Sequence, residues 1–129
     1  MKSRDLVQIF EAPDLSILTP KQMSFRLPLI VAAKLAALQR LYPNKTKTEV
    51  VGYLLASALD EFEEALPSQQ GDLLESNTVL DFDIFLDEGT KGIFRSYVED
   101  ALRDLEKEAG VKEPMKVAAP VLYVKKENK

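Results

Sequence analysis

Between residues 21 and 28 apolar and polar positions alternate strictly. Met23, Phe25 and Leu27 fall on one side, and Gln22, Ser24 and Arg26 on the other. A period of two is that of a strand with one covered face and one wet face. Pro28 ends the strand, and its missing N–H suits the first turn of a helix. From Leu29 to Tyr42 the period lengthens: Val31, Leu35 and Leu38 form one stripe in an Ala- and Leu-rich run, with Lys34 and Arg40 outside it. Pro43 and Asn44 interrupt that helix. Thr46-Lys47-Thr48-Glu49 then fits a capping box, with Thr46 as N-cap and Glu49 reaching back. A second helix is predicted from Lys47 to Leu66, with Val50, Val51, Leu54, Leu55, Ala58, Leu59 and Phe62 inward. Gly52 within it costs roughly 1 kcal/mol relative to alanine. The run Asp60 to Glu64 places acid at the unfavourable end of the helix dipole before Pro67.

The remainder is read more coarsely. Residues 67–77 have linker composition. Residues 78–86 alternate again, with Leu80, Phe82, Ile84 and Leu86 on one face, and predict a half-buried strand. Residues 93–109 predict a helix with Tyr97, Ala101, Leu102 and Leu105 inward, stopped by Gly110. Residues 117–124 predict an edge strand, since Pro120 is tolerated only at an edge. At the other end, Leu6, Ile9 and Phe10 suggest a short helix over residues 5–12. The expected organisation is an N-terminal arm (1–20), a strand-helix-helix module (21–66), a linker (67–77), an acidic strand-helix-strand appendage (78–124) and a tail (125–129).

Charge sharpens this division. Residues 15–48 carry six basic groups and no acid, whereas residues 49–113 carry 17 acids against five basic groups. The overall balance is −4. A basic block beside an acidic one implies a local anion-binding face on an otherwise acidic protein. The 129 residues contain no cysteine and no histidine. Disulfides, thiolate metal sites, cysteine nucleophiles and histidine-based acid–base chemistry are therefore excluded. No cofactor is called for, and the chain is read as a non-enzyme. Asp81, Asp83, Asp87 and Glu88, with Asp72 and Glu75 nearby, offer oxygen ligands, but their spacing fits no EF-hand loop. Asp5 and Glu11 fall where an export signal needs apolar residues, and no segment is long enough to span a bilayer, so a cytoplasmic protein without a membrane partner is expected.

The module 21–66 holds a single strand. Its backbone groups would lie unpaired against an apolar face, at about 1–3 kcal/mol for each buried group. The strand must pair with residues 78–86 or 117–124 of its own chain, or with its own copy in a second chain. The second solution would bury Met23, Phe25 and Leu27 of both chains over four helices, with Val50 and Leu54 in the dimer core. It would also present Gln22, Ser24 and Arg26 outward in duplicate.

The stretch Gln22-Met23-Ser24-Phe25-Arg26-Leu27-Pro28 resembles the strand of the ribbon-helix-helix (MetJ/Arc-like) family, whose Arc-like pattern is Gln-x-Asn-x-Arg-x-Pro, with Ser24 in place of the asparagine. The 21-position interval from Pro28 to Glu49 matches the family's helix-turn-helix length, and Thr48-Glu49-Val50 resembles the Ser-Glu-Ile that opens its second helix. The resemblance covers about residues 21–66. It implies a ribbon-helix-helix homodimer core, which together with the small C-terminal strand-helix appendage read from the pattern above gives an α+β, mostly helical fold. It also implies a two-stranded ribbon in the major groove of double-stranded DNA, where Gln22, Ser24 and Arg26 read base edges. Arg26 suits guanine and Gln22 adenine, whereas Ser24 is too short for a bidentate contact. The start of the second helix, with Lys45, Thr46, Lys47 and Thr48, would hold phosphate at the positive end of the helix dipole.

A second, full-length resemblance is to small bacterial proteins labelled as pilin-assembly or type 1 pili tip components. It rests on Met1-Lys2-Ser3-Arg4-Asp5-Leu6-Val7 and on Ala32-Ala33-Lys34-Leu35-Ala36-Ala37-Leu38 with Tyr42-Pro43. That label implies no mechanism at any residue. Two functions are thus expected to compete. One is a dimeric DNA-binding transcriptional regulator whose acidic C-terminal module binds a protein partner. The other is a non-DNA interaction protein that uses the same fold as a dimerisation core.

Overall fold

The computed structural model describes residues 17–117 and 119–125. The chain divides into two compact units, residues 1–62 and 63–129. The helix expected over 5–12 and residues 126–129 of the tail lie outside the described residues.

In the first unit, helix α1 (Leu29–Leu41) follows Pro28, which stands one position earlier than expected, at the N-cap. The Pro28 carbonyl accepts from Ala32 N at 3.1 Å. At the far end the Tyr42 amide donates to Leu38 O, and a turn through Pro43 and Asn44 closes with Lys45 N donating to Tyr42 O, both at 3.1 Å. Helix α2 (Lys47–Ala65) opens on the expected capping box. Glu49 N donates to Thr46 Oγ1 at 3.1 Å, and Thr46 N donates to Glu49 Oε1 at 3.2 Å. Two orphan donors are thereby satisfied reciprocally.

The core of this unit is small. Val50 (1% exposed) and Tyr53 are buried against Leu35, Leu38, Tyr42 and Leu54. The expected inner face of α2 is therefore corrected. Val50, Tyr53 and Ser57 face inward, while Leu55, Leu59 and Phe62 are exposed. The helix is apolar over too wide an arc for one neighbouring helix to cover. Helix α1 buries no residue fully.

The second unit is a three-stranded antiparallel sheet, β1 (Gln70–Asn77), β2 (Phe82–Asp87) and β3 (Val121–Lys125), in the order β1-β2-β3, with helix α3 (Thr90–Ala109) between β2 and β3. Residues 70–77, read as linker, are thus an edge strand. Its partner β2 supplies the pairing that its polar composition does not announce, and register shifts around Leu73 leave it irregular. The strand expected from residue 78 begins at 82. Asn77 Oδ1 accepts from the amides of Val79 and Leu80 at 3.1 and 3.0 Å, and Asp81 adopts φ 60°, so residues 78–81 form the turn. Strand β3 starts at 121 rather than 117, directly after Pro120, and lies at the other edge. Helix α3 begins at Thr90, three residues earlier than expected, and ends at Gly110 as expected, with φ 71° and its N–H directed to Glu106 O and Lys107 O.

A buried carboxylate ties this unit together. Asp87, 4% exposed, accepts through Oδ1 from Gln69 N at 3.1 Å and Gly89 N at 3.0 Å. Burial raises its pKa, but the hydrogen bonds from Gln69, Ser68 and Gly89, with the charge of Arg95, outweigh burial and leave it below 3.8. A depressed folded pKa stabilises the fold above the unfolded pKa, and that contribution disappears as pH falls through the folded pKa. Asp87→Asn is therefore expected to cost about 2 kcal/mol at pH 7, because a charge-assisted acceptor becomes a neutral one. The gap between variant and wild type should close as pH falls below about 3.8. Urea denaturation at pH 7, 5 and 3 checks this, and a gap that stayed constant would refute it.

Candidate nucleic-acid interface

Residues 22–28 precede α1 and belong to no helix or strand of the described residues. Pairing with residues 78–86 or 117–124 of the same chain, one of the two solutions open from sequence, is not adopted. The sheet contains only β1, β2 and β3. Gln22, Ser24 and Arg26 are exposed. Their apolar alternates are exposed as well, Met23 and Phe25 at 69% each, together with Leu27. Both sides of the alternating segment thus face solvent in the single chain.

The start of α2 is electrostatically occupied. Glu49 Oε2 lies 3.7 Å from Lys45 Nζ, and the same ammonium stands 5.9 Å from the centroid of the Tyr53 ring. The Glu49 carboxylate thus accepts from the Thr46 amide and pairs with Lys45. Lys45 is half-buried and sits beside Glu49 and Tyr53, which fall one and two turns along the helix from it. Lys47 and Thr48 remain exposed, and their amides head the helix without an intrahelical acceptor.

The structure keeps the two candidate sets on separate elements: the trio before α1, the Lys45–Thr48 run at the head of α2. Of the expected dimer core, Met23, Phe25 and Leu27 are uncovered, whereas Val50 is already buried by its own chain and Leu54 packs beside it. Val50 is therefore a core residue of the single chain, and a second copy has no further Val50 surface to remove from water. Tyr53 escaped the sequence reading. Its place three residues after Val50, on the stripe that faces α1, was the available signal.

The acidic residues of the second unit do other work. Asp83 accepts from Ser76 Oγ at 2.8 Å, and Asp87 is the buried acceptor described above. Among the described residues no three carboxylates gather closely enough to hold a metal ion, and no helix is long and apolar enough to cross a membrane. Compared with protein-family models, curated proteins and solved structures, the chain matches none.

Proposed function

We propose that the chain dimerises by pairing residues 21–28 of two copies, and that the resulting ribbon contacts DNA through Gln22, Ser24 and Arg26 as a transcriptional regulator. The observation that carries this reading is segment 22–28, which pairs with no strand among the described residues and exposes Met23, Phe25 and Leu27 on its alternate positions. Such a segment is a template for strand pairing. Two copies set antiparallel would satisfy each other's backbone and remove six large side chains from water. Leu55 and Leu59 of α2 are exposed, and they are apolar surface that the same pairing would cover. The ribbon-helix-helix likeness supplies the register, and the absence of acid between residues 15 and 48 supplies the sign of the potential.

DNA binding of this kind rests on counterion release, so affinity should fall steeply as salt rises. Arg26→Ala is expected to weaken binding by roughly 1–3 kcal/mol per lost bidentate contact, on the order of ten- to a hundredfold. Fluorescence anisotropy on a selected duplex at several salt concentrations measures both. No binding at low salt by a chain of proven dimeric mass would defeat the DNA reading.

A second reading, a dimeric interaction protein that does not bind DNA, is favoured by one contact. Lys45 is neutralised by Glu49 within the chain, and the sequence pI is near 4.9. A dimer that ignores duplex DNA at every salt concentration selects it.

A further inference from the structure

We propose that the outward arc of α3 is the docking face for a basic amphipathic helix of another protein. This is independent of the DNA reading and uses only the second unit.

Helix α3 is turned in an unusual sense. Its ion pairs lie along a different arc from its exposed apolar side chains. Arg95 Nε lies 3.3 Å from Glu63 Oε1, and Arg103 Nε lies 3.0 Å from Glu99 Oε1. Arg103 also pairs with Glu106 and donates to Met115 O, while Met115 N donates to Glu106 Oε2 at 2.7 Å. Those charged groups clamp the chain after Gly110 onto the helix. The apolar arc is left exposed. Ile93, Tyr97, Val98, Ala101 and Leu105 are all exposed, and Ile93, Tyr97, Ala101 and Leu105 follow one another at intervals of four. A stripe at that spacing is the seam of a helix-on-helix contact.

The border of the arc identifies the occupant. Asp100 and Asp104, both exposed, lie one turn apart beside Tyr97 and Ala101. No basic residue falls within the stripe. A second copy of the same face would set these carboxylates against each other, which disfavours self-pairing. A helix with leucine-like anchors at i, i+4 and i+7 and lysine or arginine along one flank satisfies both the apolar and the charged requirement.

The full chain can be titrated into a fluorescein-labelled helical peptide of about 18 residues (roughly five turns) built from leucine and lysine, with its leucine–glutamate counterpart as control. The lysine peptide is expected to bind one to one and the glutamate peptide to fail. The double variant Tyr97→Ser, Leu105→Ser should weaken binding by about tenfold or more. Asp100→Asn with Asp104→Asn should weaken it several-fold and flatten its salt dependence. Asp72→Asn with Glu75→Gln, the same change of charge on β1, should leave it intact. Circular dichroism checks that each variant folds, and the aspartate pair decides the matter if the Tyr97 and Leu105 variant does not. Equal loss in the β1 control would reduce the effect to bulk charge and overturn the proposal. So would binding indifferent to the α3 variants, or a wild-type self-association that the Tyr97 and Leu105 changes dissolve, which would assign the face to a second copy.

Discussion

Phe25→Lys is expected to convert the proposed dimer into single chains and to abolish with it the proposed DNA retention. In one copy the Phe25 side chain is 69% exposed, so a lysine there meets water and leaves the Val50–Tyr53 core and the capping box undisturbed. In the proposed ribbon both copies of the ring are withdrawn from solvent. Burying an aromatic side chain of this size contributes about 2–3 kcal/mol, and the dimer holds two. Losing both corresponds to a dissociation constant raised by roughly three orders of magnitude. Two lysine charges brought into an apolar interface add a further penalty. Sedimentation equilibrium across a concentration series measures the shift. The idea fails if the wild-type chain sediments at the mass of one copy, or if the variant self-associates as tightly as the wild type.

Gly92→Ala should unfold the second unit. A Cβ at Gly92 would lie 1.8 Å from the Asp87 carbonyl oxygen and 2.7 Å from its carbonyl carbon. Both are backbone atoms of β2, so no side chain can swing away. Relieving the overlap would shift the head of α3 from the end of β2 and disturb the hydrogen bonds that Asp87 accepts from Gln69 and Gly89. Overpacking of this severity costs about 3 kcal/mol or more, a large part of the stability of a unit this size. Gly52→Ala is the matched contrast. It stands inside α2 with nothing within 4 Å of the added carbon, so it should stabilise the helix by about 0.4–1 kcal/mol. Thermal unfolding followed by circular dichroism separates the two. A Gly92→Ala protein melting like the wild type would contradict the close approach of α3 to β2.

The contrast between these glycines marks how far local sequence reaches. Gly52 was legible as a cost inside a helix. Gly92 carries no local signal, because its necessity comes from an oxygen five residues away that only the β2–α3 connection brings near. The same division runs through the site. The Thr46–Glu49 box was readable because donor and acceptor lie within one turn, where helical geometry alone brings them together. Lys45 was legible as a charge but not in its role. Its contact with Glu49 follows from helical spacing, whereas the Tyr53 ring beside it is fixed by packing against α1. Strand β1 was missed because Gln-Gly-Asp-Leu-Leu-Glu-Ser-Asn has neither alternation nor strand propensity, and an edge strand can borrow its order from the neighbour it pairs with.

From the amino-acid order alone came the alternation at 21–28, both helices of the first unit with their proline and capping boundaries, the end of α3 at Gly110, the edge position of β3, and the exclusion of cysteine and histidine chemistry. Each rests on forces acting over a few residues: backbone sterics, capping hydrogen bonds and period. Tertiary structure decided which arc of an apolar helix faces inward. It chose Val50, Tyr53 and Ser57 over Leu55 and Leu59 in α2, and Leu102 over Tyr97 and Leu105 in α3. It also decided that Asp87 is buried and that Val50 belongs to the single chain's core. A wide apolar arc has several nearly equivalent ways to turn, and only the competition among its neighbours for the same contacts selects one.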